Sequence, residues 1–327
     1  MATKLYPLKF NPILMDKIWG GEKLHTILGK SMDGLPNIGE SWELSGFDGY
    51  VSQVSNGFLK GNDLNELIEI YMGDLVGDHV YEKFGNEFPL LIKFIDANDV
   101  LSIQVHPDDE TAKKRHDSFG KTEMWYVLQA DKDSYLISGF KEKISPETYV
   151  KAVNDNQIES YLAKHNVSAG DVFFMPTGRV HAIGAGIMLA EIQQTSDLTY
   201  RIYDFDRRDA NGNSRELHTE LAKDVIDFEI PESYRTSYNA VENKSVEVVK
   251  SPYFVTGVLE VTEPVERDYY SLDSFVILMC IEGKAEIEYE SGKESIVKGE
   301  TILIPAELRQ ISLLPETPCR FLEVYNP

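Results

Sequence analysis

"AGDVFFMPTGRVHAI", residues 169–183, has an echo near the end of the chain in "KGETILIPAELRQIS", residues 298–312. Each contains a glycine, an acid, four strand-forming residues and then a proline. The later copy follows a strand pair, "SFVILMCIEGKAEIEYESG" (residues 274–292). The earlier copy likewise follows a strand pair, "TEMWYVLQADKDSYLISG" (residues 122–139). Self-similarity of this kind marks a supersecondary unit used twice, and here it implies two copies of one β-barrel. Overlaying Pro176 on Pro305 sets His181 against Gln310, and matching the two strand pairs to each other brings the position of Glu123 near Phe275. Gln and Phe cannot replace His and Glu as chemical groups, so the later copy is expected to lack the chemistry of the earlier one.

Around the echo, short alternating runs bounded by Gly, Pro, Asn and Asp dominate, which makes the chain mainly β. Three stretches break that rhythm. Between residues 62 and 84, Leu64, Leu67, Ile68, Tyr71, Met72, Leu75 and Val76 recur at helical spacing. Ser145, Pro146 and Glu147 read as the cap, first residue and first-turn acid of a second helix. "SRELHTELAKDVIDFEI" (residues 214–230) places Leu217, Leu221, Val225 and Ile226 on one helical face.

The 327 residues hold 42% hydrophobic and 26% charged side chains, a composition that folds around a sizeable core. No run approaches the 18 apolar residues of a membrane span, and the first residues show no secretory pattern. With two widely spaced cysteines, Cys280 and Cys319, a reduced cytoplasmic protein is expected. A net charge of −22 argues against nucleic acid as a partner. It also requires that any anionic substrate meet a locally positive pocket.

In "LSIQVHPDDE" (residues 101–110), Leu101, Ile103 and Val105 alternate with Ser102, Gln104 and His106. Side chains on a strand alternate faces, so the three polar residues share one side. A solvated polar stripe would look the same. Glu123, with Lys121 two residues before it, opens another strand, and His181 follows the turn at Pro176, Thr177 and Gly178. Two His, a Glu and a Gln form a plausible mixed N/O site for zinc or a similar divalent ion. In "GIMLAEIQQTSDLTYRIYDFDR" (residues 186–207), Glu191 and Gln193 share a strand face and Arg201 follows. Arg201 is either an edge-strand charge or an oxyanion clamp.

Four blocks in order resemble the type I mannose-6-phosphate isomerases: "PLKFNPILMDKIWGG", "FPLLIKFIDANDVLSIQVHPDDE", "GKTEMWYVL" and "GRVHAIGAGIMLAEIQQTSDLTYRIYDFDR". The resemblance runs from about residue 6 to 207 and implies two cupin-type jelly-roll barrels with helical insertions packed on the first. It implies a catalytic, metal-binding part over residues 1–240 and a smaller barrel without metal over 241–327. One Zn2+ per chain would be held by Gln104, His106, Glu123 and His181. Arg201 matches the catalytic arginine, and proton handling falls to Glu191 or Lys121. Ser102, Lys121, Trp19 and Asp197 would bind a sugar phosphate. The implied reaction interconverts mannose 6-phosphate and fructose 6-phosphate through a cis-enediol, in a monomer or homodimer. The residues after Arg201 depart from the long eukaryotic-type pattern, which puts phosphate contacts from that region in doubt. Two rival readings are a non-catalytic cupin that binds sugars and a metal-dependent cupin oxygenase.

Overall fold

The structure, a computed structural model, describes residues 4–32, 34–208 and 212–327. Its strands form four antiparallel sheets stacked in sequence. A seven-stranded sheet runs in the order Arg235–Thr236, Val172–Met175, Glu123–Ala130, Ile187–Gln194, Leu90–Ala97, Ile38–Leu44, Ile13–Gly21. Against it lies a five-stranded sheet: Tyr200–Tyr203, Ile103–Val105, His181–Ile183, Tyr135–Phe140, Leu162–Asn166. The later part of the chain supplies five strands of a six-stranded sheet, with Leu8–Lys9 from the chain's start at one edge: Leu8–Lys9, Thr301–Ile304, Val276–Glu282, Cys319–Tyr325, Val255–Val261, Ser245–Lys250. The last sheet has four strands: Val265–Asp268, Gln310–Pro315, Lys284–Tyr289, Gly292–Val297.

The expected repeat is visible strand by strand. From Ile38–Leu44 to Ile187–Gln194 the chain lays down strands in the same order and the same two sheets as from Ser245–Lys250 to Cys319–Tyr325. Both echo glycines have positive φ, +92° at Gly170 and +88° at Gly299, a backbone state that L side chains avoid. One detail differs from the sequence overlay. In the later copy Ile311 and Leu313 are buried while Gln310 is exposed, so the residue facing inward where His181 does is Ile311. The link from proline to inward-facing residue is one residue longer in that copy. Likewise Met175 pairs with Glu123 and Ile304 with Val276, which puts Val276 rather than Phe275 in the place of Glu123.

The two large sheets pack back to back. Ile92, Phe94, Met124 and Ile192 of one meet a core that includes Ile277, Met279, Leu303 and Leu322 of the other. Covered on both faces, Leu90–Ala97 is buried at every position, which explains its near-continuous apolar run. Each such Leu, Ile or Phe contributes about 1.5–3 kcal/mol by leaving water. Leu64, Leu67, Ile68, Leu75 and Val80 seal the same core.

The helical stretch 62–84 is three short helices, Leu64–Tyr71, Gly73–Val76 and Asp78–Phe84. The breaks fall at Met72 (φ 45°) and Gly77 (φ 96°). A Cβ on Gly77 would collide with the backbone of Asp273, whose carboxylate accepts from Asp78 N (2.8 Å) and His79 N (2.9 Å). Contact with the later barrel therefore ends the helix there. Pro146–Asn154 forms as expected, with Ser145 Oγ accepting from Thr148 N. In 214–230 only Thr219–Lys223 is helical, and Leu217 and Leu221 are exposed. The apolar spacing there is overridden because backbone bonds run elsewhere: His218 N donates to Arg201 O (2.7 Å) and Asp227 N to Gly178 O (2.9 Å).

Candidate metal centre and catalytic pocket

The donor cluster sits where the two sheets of the first barrel face each other. Gln104 and His181 are direct cross-strand partners in the five-stranded sheet. His106 lies just beyond the Ile103–Val105 strand, and Glu123 opens Glu123–Ala130 in the facing sheet. Ligand atoms of His106, Glu123 and His181 all lie within 4.8 Å of one another, and the three side chains are buried. Glu123 Oε1 is 3.3 Å from His181 Nε2, and Oε2 is 3.5 Å from His106 Nε2. Donors held at about 2.0–2.2 Å by one tetrahedral ion stand roughly 3.3 Å apart. The Gln104 amide lies 3.3 Å from His181 Nε2.

Hydrogen bonding supports the same use of these atoms. His106 Nδ1 donates to Leu198 O (2.7 Å) and His181 Nδ1 to Arg179 O (2.8 Å). Each ring is thereby turned so that Nε2 carries the lone pair toward its neighbour. His106 Nε2 and both Glu123 oxygens are buried without a hydrogen-bond partner. Buried polar atoms left unpaired are costly, and a cation bound between them removes that cost. Burial holds the His106 ring well below the usual histidine range and His181 down to about 4, so both are neutral at physiological pH and free to act as donors. Burial and neighbouring Glu191 push the Glu123 carboxyl up to about 8, against the pull of Lys121 and Lys93.

The cluster borders a cavity of about 340 Å3 lined by Trp19, Ser102, Gln104, Lys121, Glu191, Asp197 and Arg201 among others. Every non-ligand site residue expected from the sequence is therefore on its wall. Glu191 is buried, and its carboxylate accepts from Trp125 Nε1 (2.9 Å) and Lys93 Nζ (3.1 Å). Burial opposes ionisation of Glu191, but Lys93 and Lys121 outweigh it and lower its pKa. Lys121 Nζ stands 3.6 Å from Glu123 Oε2. Arg201 pairs with Gln104 across the sheet, its Nη1 donates to Glu216 O (3.0 Å), and its buried Nε has no hydrogen-bond partner.

Lys17, Glu40, Trp42, Trp125 and Arg215 also line the cavity, and sequence reasoning did not single them out. The signal was available for four of them. Lys17 and Trp19, Glu40 and Trp42, and Glu123 and Trp125 are each two apart on a strand and share a face. Lys93 also lines the cavity, while Arg179 does not and stacks on Tyr234. The cationic side chains Lys17, Lys93, Lys121, Arg201 and Arg215 outnumber the carboxylates Glu40, Glu191 and Asp197. That is the local positive excess the acidic surface made necessary. Asp109 begins the helix Asp109–His116, capped by Asp108, whose Oδ1 accepts from Thr111 N.

Fold and site together define a two-barrel cupin-type protein with a candidate metal-donor set beside a cationic pocket. The family model for the phosphomannose isomerase type I catalytic domain matches residues 8–138, and that for the mannose-6-phosphate isomerase cupin domain matches residues 244–326. A mannose-6-phosphate isomerase from Streptococcus mutans is 35% identical over 308 residues, 93% of each chain. One from Bacillus subtilis is 33% identical over 321 residues, covering 96% of this chain and 97% of its own. The crystal structure of a mannose 6-phosphate isomerase from Bacillus subtilis superposes with a TM-score of 0.88 at 30% identity, over 98% of this chain and 99% of that one. The chain belongs to the type I mannose-6-phosphate isomerase family. Among the described residues no helix is long and apolar enough to cross a membrane.

Proposed function

We propose that the protein is a zinc-dependent aldose–ketose isomerase that interconverts mannose 6-phosphate and fructose 6-phosphate through a cis-enediol. The observation that carries this reading is the set of buried, unpartnered ligand atoms on His106 and Glu123 at the edge of a pocket with excess positive charge. His106 and His181 would bind through Nε2, Glu123 through its carboxylate and Gln104 through its amide oxygen. The bound ion supplies Lewis acidity toward the sugar's carbonyl oxygen.

The remaining steps fall to the chain's own residues. A base takes the proton from C2 of the open aldose and returns it to C1, while a hydroxyl proton passes from O2 to O1. Glu191 or Lys121 serves as that base. Favouring Glu191, Lys93 keeps it ionised and the Trp125 indole fixes its orientation; favouring Lys121, its Nζ lies beside the donor cluster. Arg201 stabilises negative charge on the reacting oxygens through its rigid guanidinium, whose Nε is unpartnered. Ser102, Trp19 and Asp197 shape the sugar site, and the cationic lining draws in the phosphate.

We assign catalysis to residues 1–240 and a supporting role to residues 241–327, in a cytoplasmic monomer or homodimer. A coupled assay for fructose 6-phosphate made from mannose 6-phosphate tests the reading. Turnover lost together with bound zinc in His106→Ala is expected; a His106→Ala protein that keeps full turnover would overturn it.

A further inference from the structure

The Asp109 carboxylate is a junction between the segments that carry the candidate site. It lies three residues after His106, at the start of helix Asp109–His116. Its Oδ1 accepts from Gly120 N (2.9 Å) and from Gln194 Nε2 (3.0 Å). Gln194 in turn accepts from Thr122 N through Oε1 (2.9 Å), and its own N donates to Thr122 O (3.1 Å). One carboxylate thus ties together the strand end bearing His106, the segment that runs through Lys121 into the strand opened by Glu123, and the strand bearing Glu191. Space at this junction is tight, since a Cβ on Gly120 would lie 2.7 Å from Asp109 N.

The other oxygen, Asp109 Oδ2, accepts from Tyr253 OH at 2.7 Å, a bond that spans 144 residues from the later barrel. Tyr253 is itself held. Its N donates to Ser251 Oγ (3.2 Å), and its O accepts from Asn326 Nδ2 (2.7 Å). A turn of the barrel without metal ligands is therefore pinned at both sides and aimed at the carboxylate that joins the catalytic strands. We propose that Tyr253 is a positioning residue for the active site, fixing through Asp109 the relative placement of His106, Lys121 and Glu123. This rests on the function proposed above.

The test compares Tyr253→Phe with Tyr238→Phe in the full chain. Tyr238 OH donates to Gly170 O (2.9 Å), a comparable tyrosine bond with no link to Asp109. Second-layer hydrogen bonds to metal sites are worth about 10–100-fold in affinity or activity. As Tyr253 acts one bond further out, Tyr253→Phe is expected to lower kcat about 3–10-fold with KM unchanged and to weaken zinc binding in a chelator competition by a similar factor. Tyr238→Phe should leave kcat and zinc affinity as in the parent. Asp109→Asn with Tyr253→Phe should cost less than the two changes multiplied. Unchanged kcat and zinc affinity in Tyr253→Phe, or equal losses in Tyr238→Phe, would overturn the proposal. If the parent chain binds zinc but does not isomerise mannose 6-phosphate, the isomerase reading fails; the zinc-affinity shift alone then decides the role of Tyr253.

Discussion

Lys93→Met should be the most damaging single change in the pocket wall for stability, and its cost should depend on pH. Lys93 is buried between two buried or nearly buried carboxylates, with Nζ 3.1 Å from Glu191 Oε1 and 3.8 Å from Glu40 Oε2. It also stands 5.1 Å over the Trp42 ring. Burial pushes the Glu40 carboxyl up, but Lys93, Lys17 and the Trp42 indole outweigh it and hold it at about 2. The drop from the ordinary 4.5 to about 2 corresponds to about 3 kcal/mol at neutral pH. Both carboxyls are depressed in the folded state, so their contribution is full above about pH 4.5 and is lost at lower pH, for Glu40 as pH falls toward 2. Lys93 is raised, so its contribution persists up to about pH 10.5 and is lost above it. Removing one member of a buried ion pair costs about 3–5 kcal/mol. Urea unfolding at pH 7.5 should show that loss in Lys93→Met. At pH 5.5 the deficit should shrink, because the abandoned carboxylates regain protons in the folded variant. A deficit below about 1 kcal/mol at pH 7.5, or one independent of pH, would refute the reasoning.

In the second barrel, Arg267 meets Glu323 through two bonds (2.9 and 2.8 Å) and Tyr269 OH donates to Glu323 (2.8 Å). Arg267→Met should cost about 3–5 kcal/mol in urea unfolding while the folded fraction keeps its kcat. Arg201→Ala separates two roles: a fall mainly in kcat marks charge stabilisation at the reacting oxygens, a rise mainly in KM marks phosphate binding, and unchanged kinetics contradicts both. Zinc uptake should displace a proton from Glu123 below about pH 8, so log affinity should climb with pH by about one per unit and level off above. Calorimetry in buffers of different ionisation heat checks this, and a pH-independent affinity between 6 and 8 would contradict it.

Much of this site was legible because strands expose their face by simple alternation. Ser102, Gln104 and His106 read as one face, and all three reach the site. The repeat was legible in "GDVFFMP" and "GETILIP", because a left-handed glycine, a short strand and a proline are local demands. Its register was not: a linking segment longer by one residue flips the following strand, and Ile311 faces inward instead of Gln310. The segment 214–230 misled because apolar spacing ignores where backbone bonds go. Arg215 and Tyr253 were silent for a different reason, since their roles arise only when distant segments meet. Glu323 shows the converse. It occupies the position of Glu191 in the second barrel, paired with Leu278 as Glu191 is with Trp125, yet it faces Arg267 and Tyr269 instead of a donor cluster.

Turnover should depend on an ion held by His106, Glu123 and His181, with Gln104. The most direct measurement is fructose 6-phosphate formation from mannose 6-phosphate before chelation, after it, and after return of one equivalent of zinc. Activity should vanish with the metal and return with the single equivalent; full turnover in protein shown to be metal-free would contradict the account.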